Sequence, residues 1–114
     1  MRVISQDGTI DVPYEDFVFS ILNSGGGNYR VVAVKNVAEP PEVFLNSLIA
    51  TYSTESKAIK AMEMLREQHE KVAFLKMIIN TEKGALFVRH LSETDFNKMT
   101  QNYFQFPKDG EVEV

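Results

Sequence analysis

LIATYSTESKAIKAMEML, running from Leu48 to Leu65, is the stretch on which the fold turns. Its first part reads as a strand, because Leu48, Ala50 and Tyr52 alternate with Ile49 and Thr51. Its second part reads as an amphipathic helix, with Ala58, Ala61, Met62 and Leu65 along one stripe. Ser53 or Thr54 supplies the cap between them, since a hydroxyl there accepts a bond from an orphan backbone N–H. Glu55 adds negative charge to the first turn, where the helix dipole favours it. The positions three residues after the two possible caps hold Ser56 and Lys57, so the reciprocal capping box is incomplete. A strand that turns directly into a helix packed on its own sheet is the organising unit.

Upstream of this unit the chain reads as β structure. Val3-Ile4-Ser5 and Thr9-Ile10-Asp11-Val12 flank Gln6-Asp7-Gly8, a hairpin signal, because Gly accepts positive φ. Two registers satisfy the pattern. One pairs Val3 with Val12 and Ser5 with Ile10; the other, with Gly8 in a bulge, pairs Ile4 with Ile10. Pro13 ends the second strand or holds it at an edge. Phe17 to Leu22 is expected to be a third strand and Tyr29 to Lys35 a fourth. Val31-Val32-Ala33-Val34 is apolar on both faces, the pattern of a central strand. Between them lies Asn23-Ser24-Gly25-Gly26-Gly27-Asn28. A phosphate cradle needs a helix directly after its glycines, or a Gly-Lys-Ser/Thr ending. A β run follows here, so a hairpin tip is the better reading. Ala38-Glu39-Pro40-Pro41-Glu42 forms an internal loop, and Val43-Phe44-Leu45 a short apolar turn.

Downstream, Glu67 with Lys71 and Arg66 with Glu70 are spaced to pair on the exposed helix face. Past His69 two readings compete. The stripe of Ala61, Leu65, Gln68, Val72, Leu75 and Ile79 carries a single helix to about Ile79. Phe74 to Ile79 and Ala85 to Val88 are rich in β-formers and straddle Asn80-Thr81-Glu82-Lys83-Gly84, which favours a hairpin. Ser92-Glu93-Thr94-Asp95 opens a short helix to about Gln101, with Phe96 and Met99 inward. Tyr103 to Phe106 is a last strand stopped by Pro107, and 108–114 an acidic, frayed tail. The expected architecture is α+β. A mostly antiparallel sheet, with N-terminal hairpin and meander, carries one principal helix on a face, followed by a C-terminal hairpin or short helix. One domain spans 1–107.

Composition sets bounds on function. The 114 residues carry 44% hydrophobic side chains, enough for one core without staples. With no cysteine there is no disulfide, no thiolate metal site and no cysteine nucleophile. The opening residues lack a signal-peptide pattern, and no apolar run approaches the roughly 20 residues that span a bilayer. A cytoplasmic protein without membrane association is expected. The net charge is −4, with 12 basic against 16 acidic residues, a balance that argues against nucleic-acid partners.

His69 and His90 lack the i, i+4 partner of a helical metal face. Glu15 and Asp16 are adjacent, so on a strand they face opposite sides and cannot work as an acid–base pair. No Gly-x-Ser-x-Gly elbow occurs. Tyr29, Tyr52, Tyr103, Phe104 and Phe106 could stack bases on a sheet, but without a basic surround they read as packing. Met62, Met64, Met77 and Met99 could mark an adaptable binding groove; Met62 reads as core and Met64 as exposed. No catalytic residue, metal ligand or cofactor is assigned.

Three segments together carry a resemblance: MRVISQDGTIDVPYE at the start, YSTESKAIKAMEMLR in the middle and YFQFPKDGEVEV at the end. The chain resembles a family of small proteins of Gram-positive bacteria and their prophages. That family has no established activity. The resemblance implies a phage-derived origin and a cytoplasmic setting, and transfers no catalytic or binding residue.

Two functional classes follow. One is a non-enzymatic protein-interaction domain, homodimeric in one form, using a sheet edge or exposed helix flank. The other is a small ligand-binding domain or enzyme with an unrecognised pocket. The absence of any nucleophile–base or metal constellation favours the first. Phe74 to Val88 points the same way, because so many large apolar side chains cannot all face one core.

Overall fold

A computed structural model describes residues 1–23, 25–35, 47–79, 81–90, 92–94 and 101–114, and among them six strands and two helices are delimited. Strand β1 (Arg2–Ile4) pairs antiparallel with β2 (Asp11–Pro13) in the register Val3 to Val12, the first of the two hairpin readings. The turn is held by Asp7, whose carboxylate accepts from the Ser5 hydroxyl at 2.7 Å and from the Thr9 N–H and hydroxyl. Gly8 adopts φ 79°, which only glycine does readily. β1 also pairs, in parallel, with β6 (Tyr103–Gln105), so the two ends of the chain share one sheet in the order β2-β1-β6. Pro13 therefore sits at an edge, as its missing N–H requires.

The second sheet has the order β3-β4-β5 and is wholly antiparallel. β3 (Phe17–Asn23) and β4 (Tyr29–Lys35) form a hairpin around the glycine-rich segment, with Gly25 and Gly27 at positive φ. A strand follows the glycines directly. β4 is central, and Val31, Val32 and Ala33 are all buried. β5 (Ser47–Tyr52) departs from strict alternation. Its register slips between Val31 and Val32, leaving Ile49 in a bulge, so Ile49 and Ala50 are both buried while Leu48 is exposed. The expected Ala38–Glu42 loop and the Val43–Leu45 turn lie outside the described residues.

Helix α1 (Glu55–Ile78) runs for 24 residues, so the hairpin expected over Phe74–Val88 gives way to helix. Thr54 is the cap, its Oγ1 accepting from the Lys57 N–H at 3.2 Å. Ala58, Ala61, Leu65, Val72 and Leu75 are buried along one side, as in the alternative reading of a single helix to about Ile79. No glycine or proline interrupts it. An unbroken helical face outweighs the β preference of Phe74-Leu75-Lys76-Met77-Ile78-Ile79, which would need a sheet to join. Helix α2 (Glu82–Arg89) follows after a sharp turn in which Thr81 donates to the Ile78 carbonyl and accepts from the Gly84 N–H. Gly84 is buried so close to the Ile78 carbonyl that a β-carbon there would clash. Glu93 and Thr94 are helical; Phe96 and Met99, expected inward, lie outside the described residues.

One core unites both sheets with α1. Val3, Phe104 and Phe106 from the first sheet meet Val31, Ala33, Ile49 and Tyr52 from the second under Ala58, Ala61 and Leu65. The segment 108–114 belongs to it and is not frayed. Asp109–Glu111 forms a 3-10 turn, and Val112 is buried in the core. Asp109 accepts from the Ser53 N–H at 2.8 Å and from the Lys57 ammonium at 3.2 Å, pinning the C-terminal segment to the start of α1. No described helix is long and apolar enough to cross a membrane.

Candidate functional site

A cleft of about 430 Å³ opens between the start of β3 and the middle of α1. Its floor is Phe17 and Phe19, its walls are Met62 and Leu65, and its rim carries Tyr14, Glu15, Arg66 and His69. The local sequence explains why it exists. Pro13 ends β2, a 3-10 turn at Tyr14–Asp16 swings the chain across, and β3 begins at once. α1 lies over β4 and β5, so the inward side chains of β3 are only half covered.

The rim is organised around Tyr14. Its ring stacks on His69 at 4.1 Å and on Phe19 at 6.0 Å, while its N–H donates to the Met1 carbonyl at 2.9 Å. Stacking buries His69 Nδ1, which has no hydrogen-bond partner among the described residues. Glu15 next door accepts from the chain-terminal ammonium at 3.0 Å. Its own backbone N–H, and then that ammonium, hold its carboxyl below the usual range. The Glu15 charge is thus engaged, whereas Arg66 forms no ion pair among the described residues. The lining holds no serine, threonine or lysine, so what it offers is an apolar floor with one guanidinium and one imidazole at the mouth.

Other residues weighed from the sequence are dispersed. His90 is exposed beyond α2, in an environment unlike that of His69. Glu15 and Asp16 lie on the 3-10 turn, not on a strand. Among the described residues no group of three or more His, Asp or Glu is placed to hold a metal. The aromatic set divides between the sheets. Tyr29 and Tyr52 are cross-strand partners on β4 and β5, while Tyr103, Phe104 and Phe106 belong to the β6 segment. Tyr52 is buried and donates to the Pro107 carbonyl at 2.7 Å. Burial, and then the charges of Asp109 and Glu111, push its phenol well up. Met64, expected to be exposed, packs half-buried against the core, and Met77 is in solvent. Neither Glu67 with Lys71 nor Arg66 with Glu70 forms an ion pair among the described residues.

Sequence reasoning passed over the cleft because its members are spread from Tyr14 to His69, with no fixed spacing. The available signal was Pro13-Tyr14, a strand end followed by an aromatic. No family model, curated protein or solved structure matches this chain.

Proposed function

We propose that this domain is a non-enzymatic interaction module of phage-related origin that works in the cytoplasm by contacting protein, a second copy of itself included. The observation that supports this reading is the apolar surface of the helical arm. Phe74, Ile79, Leu86 and Phe87 are about half exposed, and Met77 is 75% exposed. Phe74 and Phe87 meet edge to face at 6.4 Å, so the exposed groups of the two helices form one neighbourhood. The radius of gyration is 16.2 Å, against about 13 Å for a compact chain of this length, as expected when an arm projects from the core. Clustered apolar side chains on a projecting element mark contact surfaces, and Met adapts to irregular partners.

Sedimentation equilibrium at micromolar concentration tests the reading. The expected result is a mass above the monomer that falls when Ile79→Ser and Phe87→Ser are combined. A strictly monomeric mass, unchanged by those substitutions, removes the physical basis of the proposal.

The cleft supports a second reading, a small ligand-binding domain. An apolar floor with a guanidinium at its mouth that forms no ion pair among the described residues suits an aromatic carboxylate. Titration with benzoate should shift the Tyr14 and His69 ring resonances, and Arg66→Ala should abolish the shift. Unmoved resonances in the unsubstituted protein would exclude this ligand class.

A further inference from the structure

The strand edges of this molecule are protected unequally. In the first sheet the edge strands β2 and β6 have three residues each, and β2 carries Asp11 and ends in Pro13. Short, charged or proline-bearing edges resist pairing with other chains. In the second sheet, β5 is covered by Gln6. The Gln6 N–H donates to the Ile49 carbonyl at 2.8 Å, its Nε2 donates to the Thr51 carbonyl, and its Oε1 accepts from the Thr51 N–H. One glutamine thereby stands in for a neighbouring strand.

β3, at the opposite edge, has none of these devices. Its seven residues, Phe17-Val18-Phe19-Ser20-Ile21-Leu22-Asn23, include no charge and no proline. Its register with β4 is unbroken, so no bulge twists the edge away. Among the described residues, nothing bonds to the backbone groups on its outward side. Val18 and Leu22 are about half exposed. They alternate along the strand with Phe17, Phe19 and Ile21, which pack toward the core, and Val18 also borders the cleft beside α1.

We propose that β3 pairs edge to edge and antiparallel with β3 of a second copy, centred on Ser20, joining the two second sheets into one. The side-chain order of the strand is what selects a second copy as the occupant. Centred on Ser20, the pairing uses all seven residues and sets Val18 against Leu22 of the second copy. Phe19 then meets the second copy's Ile21, and the two serines meet on the two-fold axis. The four central apolar pairs face one another, two on each side of the sheet, while Phe17 meets Asn23 at either end and no charge is buried. An odd shift of register would set outward side chains against inward ones. The edge is about 24 Å long, which places this contact below the usual 1,200–2,000 Å² of a stable interface.

The surface is separate from the helical arm, and it is tested with the arm silenced by Ile79→Ser and Phe87→Ser. Because the chain has no cysteine, Ser20→Cys introduces its single thiol. Directly opposed Cα atoms lie about 4.5–5.5 Å apart, within disulfide reach. Residue 18 of one copy would sit about 14 Å from residue 18 of the other, out of reach. The expected result is a disulfide-linked dimer that forms roughly tenfold faster for Ser20→Cys than for Val18→Cys under mild oxidation. In sedimentation, the arm-silenced chain should retain a monomer–dimer equilibrium. Val18→Lys with Leu22→Lys should weaken it by about tenfold or more, with circular dichroism unchanged, because like charges then face each other twice. Equal cross-linking rates, or a dimer indifferent to the lysines, overturn β3 pairing. An arm-silenced chain that is strictly monomeric also overturns it, and association of the unsubstituted protein then still supports the proposed function. An unsubstituted protein that is monomeric throughout overturns both.

Discussion

Asp7 shows how much one exposed side chain can organise. The Thr9 N–H, the Ser5 hydroxyl and the Thr9 hydroxyl all donate to it, and together they lower its pKa from 3.8 to about 2. A carboxyl whose folded pKa is depressed stabilises the fold above its ordinary pKa, and that contribution fades as pH falls through the folded value. The stability difference between the unsubstituted protein and Asp7→Asn should therefore shrink as pH drops from about 4 toward 2, read from urea unfolding at each pH. A difference that stays constant over that window would show that the turn does not depend on the Asp7 charge. Asp109 behaves in the same direction. Its carboxyl is held low by the Ser53 N–H first, then the Ser53 hydroxyl and Lys57.

Among the elements, α1 carries most of the burden because both sheets meet beneath it. Leu65 is 1% exposed and sits midway along the buried stripe. Leu65→Ala should destabilise the fold by about 2–5 kcal/mol, the range for a cavity in a packed core. In native-state hydrogen exchange, amides of β5 and of α1 from Ala58 to Leu75 should be the slowest. The β1–β2 hairpin, with three residues per strand, should open first. The reverse order of opening would mean that the parallel β1–β6 pair, and not the helix, holds the core. α2 packs on the end of α1 through Phe74 and Phe87, and none of its described residues belongs to the core.

For the molecule as a whole, the joining of its two ends is decisive. Its extents of 51 × 35 × 20 Å describe a flattened body in which β1 and β6, from opposite ends of the chain, lie side by side. The last residues close this arrangement through Val112, Asp109 and the Tyr52–Pro107 hydrogen bond. Removing residues 108–114 should lower stability by at least about 1.5–3 kcal/mol from the lost burial of Val112 alone. Denaturant titration of the truncated chain provides the measurement. An unchanged midpoint would indicate that the segment contributes nothing to the folded state.

The sequence by itself determined every strand of the second sheet, the β1–β2 hairpin apart from its register, the last strand and the start of α1. Each of these depends on alternation, a turn residue or a cap within a few neighbouring positions, so the pattern is local. It also pointed to an apolar excess around Phe74–Val88, though not to its conformation. Phe74-Leu75-Lys76-Met77-Ile78-Ile79 has β-forming composition and a helical stripe at once, and only the burial of Val72 in the core, with Leu75 buried one turn on, resolves that conflict. Tertiary structure alone decided the parallel partnership of β1 with β6, the burial of Val112, the bulge at Ile49 and the cleft between Tyr14 and His69. These depend on which distant segments meet. A single chain's periodicity records which face is apolar, and not what will be packed against it.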